Sequence, residues 1–294
     1  MFNVDNVTHF AILLIKKKII AMPLLTLNEI KSMSPLFHGS AGRSFARFLM
    51  RALSVDELNS LYDVNSRYGG AAFARACLRH LGISYEIENP ENLDKIPDGP
   101  FLTISNHPYG GIDGVILIDI FGHLYKDYKL MVNTLLGRVE ALNDNMIRVV
   151  PNGDGPSSPT SESISGIKAA IMHVRKGHPL GLFPSGAVSD FNLKDMCIRD
   201  REWQEPVIRL IRRLDVPILP VAFPGRNSLL YYSLGLIDWR VRLLRLPSEL
   251  FNKKGEVVKV VIGRPIMPQK QECYTDIKDF RNFLRSSVYE LNSI

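Results

Sequence analysis

From residue 99 to residue 294, short apolar runs that read as strands alternate with segments that read as helices, and this alternation narrows the fold more than any other feature. Strands are predicted over 101–105, 128–132, 147–150, 180–183, 217–223 and 256–262. Helices are predicted over 113–124, 134–142, 164–175, 202–214, 227–250 and 275–291. Such a pattern makes an α/β fold, with a mixed, largely parallel sheet flanked by helices on both faces. Ahead of it lies a helical N-terminal portion. Residues 42–53, 55–62 and 69–81 each space their apolar side chains three to four apart, as does the shorter stretch 27–32, and 83–87 reads as a first strand. The polar stretch 152–163 reads as a surface loop, so residues 96–294 are expected to form one domain after the helical portion 26–95.

In parallel sheets, ligands bind where the carboxyl ends of strands open into loops. The first such opening is FLTIS-NHPYGG-ID, a buried strand, a polar glycine loop and the start of an apolar helix. His107 at the strand mouth and Asp113 at the helix start are a compact base-and-orienter pair. The imidazole would take a proton from an attacking hydroxyl while the carboxylate fixes its tautomer. Gly110 and Gly111 let the chain double back toward His107. A plainer reading stands beside this one: Asp113 as the helix cap, with Asn106 and His107 as turn residues.

Two further strand ends carry polar turns. Leu182 runs into Phe183-Pro184-Ser185-Gly186. A nucleophilic Ser185 would require glycine two residues earlier, where Phe183 stands, so a turn presenting N–H and hydroxyl groups is the better reading. The strand over 217–223 runs into Pro224-Gly225-Arg226-Asn227. Arg226 there would suit a carboxylate or phosphate; alternatively Arg226 and Asn227 are loop and cap residues.

Asn-His followed by an acid, then FPxG, then the apolar strand VPILPV, in this order, resembles the glycerolipid (lysophospholipid) acyltransferase superfamily over roughly residues 95–265. NHPYGGIDG, FPSGAVS, IRDREW and GRNS resemble its bacterial branch, which includes enzymes finishing glycine and ornithine lipids from their lyso forms. The resemblance implies an O-acyltransferase that moves a fatty acyl chain from a thioester to a lyso-lipid hydroxyl. It makes His107 the general base and Asp113 its orienting carboxylate. Asn106, Phe183, Pro184, Ser185, Gly186, Arg226 and Asn227 become acceptor-site residues. It further implies no bound cofactor and no metal, with acyl carrier protein or coenzyme A supplying the thioester. The expected location is peripheral, on the cytoplasmic face of the inner membrane.

Two departures sharpen this reading. Five residues separate His107 from Asp113, where the superfamily has four. The third motif, Phe-Pro-Glu-Gly-Thr-Arg-Ser in the superfamily, here reads FPSGAVS, so Val188 stands in place of an arginine that would hold an acceptor phosphate. A buried phosphate without a cation is costly, which favours a lyso-aminolipid with one carboxylate over lysophosphatidate. A catalytically inactive lipid-binding relative is the alternative from another class.

Composition sets the outer limits. The 294 residues are 46% hydrophobic with a net charge of +6, and the pI is near 9.2 with a mean hydropathy of +0.01. The basic excess suits an anionic membrane or an acidic carrier protein; no nucleic-acid-binding motif accompanies it. Arg209, Arg212, Arg213, Arg240, Arg242 and Arg245 read as solvated helix faces or docking points for headgroups. No run of 18 apolar residues is present, so no spanning helix is predicted. Residues 1–25, with Lys16, Lys17 and Lys18 interrupting apolar runs, form an extension that is either an interfacial helix or disordered. Cys77, Cys197 and Cys273 are widely spaced and odd in number, which points to reduced thiols. His123, His173 and His178 lack acid partners at ligand spacing, and His80 reads as part of a solvated basic helix face.

Overall fold

The computed structural model describes residues 39–134, 138–149, 161–237, 242 and 245–293. The extension over 1–25, the helix expected at 27–32 and most of the 152–163 loop lie outside the described residues. Helices α1 (Gly39–Ala52), α2 (Val55–Asn65) and α3 (Gly70–Leu81) lead into β1 (Ser84–Glu88). There follow β2 (Leu102–Ser105), α4 (Gly111–Leu124), β3 (Lys129–Asn133), β4 (Met146–Val149), α5 (Ser161–Arg175) and β5 (Leu180–Leu182). A hairpin of β6 (Asp190–Asn192) and β7 (Cys197–Arg199) precedes α6 (Glu205–Leu214) and β8 (Ile218–Ala222). The chain continues through α7 (Leu229–Ile237), α8 (Leu246–Asn252), β9 (Val257–Ile262), α9 (Pro268–Gln271) and α10 (Ile277–Tyr289).

Seven strands form one sheet in the order β1-β9-β8-β2-β5-β3-β4. All neighbours run parallel except β8 and β9. Alternation along the strands divides the core between the two faces of the sheet. Leu219 and Val221 of β8 join Phe73, Leu78, Ile116 and Phe121 of α3 and α4 on one side. Ile218 and Ala222, with Leu102 and Ile104 of β2, join Ile208 and Ile211 of α6 and Phe280, Leu284 and Val288 of α10 on the other. Because β2 is covered on both faces, its polar residues bond locally: the Thr103 hydroxyl lies 2.8 Å from Tyr128 Oη, and the Ser105 hydroxyl donates to the Asn106 carbonyl at 2.9 Å.

β2 sits between β8 and β5, and all three point the same way. Their carboxyl ends therefore open on one edge of the sheet. That edge carries the His107 loop, the Phe183–Gly186 turn and the loop from Phe223 to Ser228.

One sequence expectation is corrected, and one element is new. No α-helix fills the described part of 134–142; a 3-10 helix runs over Glu140–Asn145 instead. Asn143, Asp144 and Asn145 compete with their own backbone, and the Asn145 side chain donates to the carbonyl of Tyr128 at 2.7 Å. The β6–β7 hairpin was not foreseen. Among the described residues no helix is long and apolar enough to cross a membrane.

Candidate functional site

His107 leaves β2 after two residues of loop, and Asp113 enters from the first turn of α4. Their side chains meet: His107 Nδ1 lies 2.8 Å from Asp113 Oδ2. Gly110 makes this approach feasible. Its φ of +88° belongs to a region that residues with a Cβ rarely adopt, and the turn absorbs the extra residue between base and acid. The same Oδ2 accepts the backbone N–H of Tyr109 at 3.1 Å and of Gly110 at 3.2 Å. Asp113 is thus both a helix cap and the partner of His107, and the two sequence readings coexist in one carboxylate.

Asp113 is fully buried, and burial raises its pKa, while the bond from His107 and those from Tyr109 and Gly110 lower it. An oxygen already accepting two N–H bonds takes its third from Nδ1–H. The proton on Nδ1 leaves a lone pair on Nε2, the tautomer a general base needs. The imidazole is clamped from its face by Phe183, with ring centroids 3.9 Å apart and planes inclined by 22°.

Asn106 turns both ends of its side-chain amide to Phe223, the residue just past β8. Nδ2 donates to the carbonyl of Phe223 at 3.0 Å, and Oδ1 accepts the N–H of Phe223 at 2.8 Å. It latches the His107 loop to the neighbouring strand. Pro184 and Ser185 are buried in the turn behind Phe183. The Ser185 hydroxyl donates to the carbonyl of Ala187 at 2.7 Å, so it closes the turn. Gly186 has a φ of +66°, and a Cβ there would strike the amide of Gln204. Asn227 is buried and donates through Nδ2 to the carbonyl of Tyr109 at 3.4 Å. Arg226 is exposed on the rim of a cavity lined also by Phe191, Met196 and Leu229. The structure therefore brings His107, Asp113, Asn106 and Phe183 together, places Pro184, Ser185, Gly186 and Asn227 in the supporting turns, and leaves Arg226 on an outer rim. Val188, where the resembling superfamily has arginine, packs with Tyr231, Tyr232 and Leu246 in an apolar cluster.

One group was not singled out from the sequence. Asp200, in the IRDREW block, is buried and accepts the backbone N–H of His107 at 3.1 Å. It also accepts the Ser189 hydroxyl at 2.5 Å and the indole N–H of Trp203 at 3.2 Å. Ser189 N–H in turn donates to the His107 carbonyl at 2.8 Å. The peptide of the base is held on both sides. Burial raises the Asp200 pKa, opposed by the bonds from Ser189 and His107. The visible signal was the Asp-x-x-Trp spacing, but its partner lies 93 residues away.

Asp200→Ala leaves three buried donors without an acceptor, each costing about 1–3 kcal/mol. The expected outcome is a lower urea midpoint with a lower kcat. Asp200→Asn, which keeps one acceptor, falls between. Because the native pKa is raised, the folded state binds more protons than the unfolded one, and stability falls as pH rises from about 4 toward the raised value. Asp200→Asn removes its share of that slope, which urea melts across pH will read.

The basic helix faces are largely engaged. Arg212 donates to the carbonyls of Tyr274, Thr275 and Asp276, and Arg209 pairs with Glu205 at 2.6 Å. Arg242 is buried, with Nη1 2.5 Å from Asp190, so its reading as a solvated residue is corrected. Arg240 lies outside the described residues. Among the described residues, no three His, Cys, Asp or Glu side chains are grouped to hold a metal.

Known proteins resemble this chain in fold and in sequence. A 1-acyl-sn-glycerophosphate acyltransferase from Thermotoga maritima superposes with a TM-score of 0.50 at 14% identity, over 85% of this chain and 87% of that one, which is a likeness of fold. A lyso-glycine lipid O-acyltransferase from Bacteroides thetaiotaomicron is 27% identical over 251 residues, covering 83% of this chain and 88% of that protein. The enzyme of the same name from Phocaeicola vulgatus is 27% identical over 256 residues, covering 85% and 88%. The family profile described as Acyltransferase matches residues 32–294, a span that holds the whole sheet and the His107–Asp113 pair at its open edge, and the chain is a member of that acyltransferase family.

Proposed function

We propose that this acyltransferase esterifies the hydroxyl of a lyso-lipid, specifically a lyso-aminolipid, using a fatty acyl thioester of acyl carrier protein or coenzyme A. The observation that carries the reading is the His107–Asp113 pair, whose geometry leaves Nε2 as the proton acceptor. Nε2 takes the hydroxyl proton as the acceptor oxygen attacks the thioester carbonyl. The tetrahedral intermediate collapses, the C–S bond breaks, and the imidazolium returns the proton to the departing thiolate. Asp113 stabilises the imidazolium throughout, and no covalent enzyme intermediate forms.

The names of the two relatives support a lyso-aminolipid acceptor. The burial of Val188 in an apolar cluster supports it too, since that position offers no cation for a phosphate. The same proposal has the reaction at the cytoplasmic surface of a bacterial membrane, a site that the net charge of +6 suits. Lipid analysis of cells with and without the gene tests this. Loss of a diacylated aminolipid with accumulation of its lyso form is expected, and His107→Ala does not restore it. A change confined to phosphatidate-derived lipids overturns the assignment of the acceptor.

A further inference from the structure

Beside the base lies a cavity of about 270 Å³ whose wall includes both chain neighbours of His107, Asn106 and Pro108. The rest of the wall comes from Ser189, from Ile198 and Arg199 of β7, from the Phe223–Gly225 segment and from Tyr289. Most polar groups on this wall are already committed. Asn106 is spent on Phe223, and Ser189 is spent on Asp200 and the His107 carbonyl. Two donors remain. Arg199 offers the N–H groups that its ion pair with Asp195 does not use. Tyr289 Oη accepts the N–H of Asp200 at 2.8 Å and also bonds the Arg285 side chain, a donor, so its own O–H is left to donate. Burial raises the Tyr289 pKa, so the phenol keeps that proton.

We infer that this cavity is the acceptor's headgroup subsite and that Arg199, assisted by Tyr289, binds a single carboxylate there. The inference rests on the lyso-lipid reading above, and it moves the anion-binding role from Arg226 to Arg199. A cavity whose wall carries an arginine and a phenol O–H, with no carboxylate in its lining, suits an anion. The charge it takes is limited. Asp195 neutralises part of Arg199, and two buried carboxylates, Asp113 and Asp200, hold the base next door. A dianionic phosphomonoester meets more repulsion there than a carboxylate does. The cavity shares Ile198 and Gly225 as wall residues with a larger one of about 470 Å³, lined also by Phe191, Met196, Leu229 and Tyr232. Its apolar wall suits the acyl chain of the same acceptor, and Arg226 stands at its rim.

The test uses the full chain, a hydroxyacyl amide of glycine, its methyl ester, and lysophosphatidate. Wild type should show a KM for the free carboxylate at least about tenfold below that for the ester. Arg199→Ala should raise the carboxylate KM about 10- to 100-fold with kcat and the ester KM little changed. Arg199→Lys should fall between, and Asp195→Asn, which frees the guanidinium, should lower the carboxylate KM. Direct binding of the same compounds separates the two claims. If wild type acylates neither amide yet binds the carboxylate form selectively, and Arg199→Ala loses that selectivity, the lyso-lipid activity fails and the subsite stands. Equal binding of acid and ester, an unchanged KM ratio in Arg199→Ala, or tighter binding of lysophosphatidate overturns the subsite.

Discussion

His107→Ala is expected to lower kcat for acyl transfer about a hundred- to ten-thousandfold while the protein stays folded, because a positioned general base contributes about that much. The side chain is only partly buried, and its structural bond is the one to Asp113. The loop around it stays anchored through Asn106 to Phe223 and through Ser189 and Asp200 to the His107 peptide. Circular dichroism and a urea melt should therefore differ little from wild type. His107→Gln, which fills a similar volume without a basic nitrogen, should be equally inactive.

Asp113 has the second-largest effect, and two substitutions separate its two roles. All three hydrogen bonds fall on Oδ2, while Oδ1 is buried without a partner. An asparagine can place its oxygen at Oδ2 and keep the cap and the imidazole tautomer. What it loses is the negative charge that stabilises the imidazolium. Asp113→Asn should thus cut kcat about a hundredfold with little change in stability, since removing a charge whose burial is unfavourable offsets the unpaired amide N–H. Asp113→Ala should lose activity and also stability. It strands the N–H groups of Tyr109 and Gly110, at about 1–3 kcal/mol each. If Asp113→Asn has wild-type kcat, the carboxylate is a helix cap alone.

The part of the site that was legible in the sequence is the part that is local. The β2 strand, the glycine loop, His107 and Asp113 lie within 13 contiguous residues, and Gly110 with its φ of +88° does what a glycine there was expected to do. The sheet was legible for the same reason. Its central strands are short apolar runs bounded by turn formers, and the run over 218–222 is buried at every position. What was not legible depends on distance along the chain. Asn106 reads as a turn residue or substrate contact until Phe223, 117 residues on, is seen to take both ends of its amide. Asp200 looks like one charge in a charged block until it is found beneath the His107 peptide, with Trp203 beside it. Arg242 reads as exposed because arginines usually are, and only the arrival of Asp190 from the hairpin explains its burial. The hairpin itself was missed because its strands are three residues each, too short for alternation to register.

The central claim is that His107, held by Asp113, activates a lyso-lipid hydroxyl toward a thioester. The most direct measurement incubates purified protein with an acyl-carrier-protein or coenzyme A thioester and a lyso-aminolipid, and follows the ester product and free thiol together by mass spectrometry. Wild type is predicted to form one ester per thiol released, and His107→Ala to form neither above background. Ester formation that persists in His107→Ala, or thiol release by wild type without an ester on the acceptor hydroxyl, would contradict it.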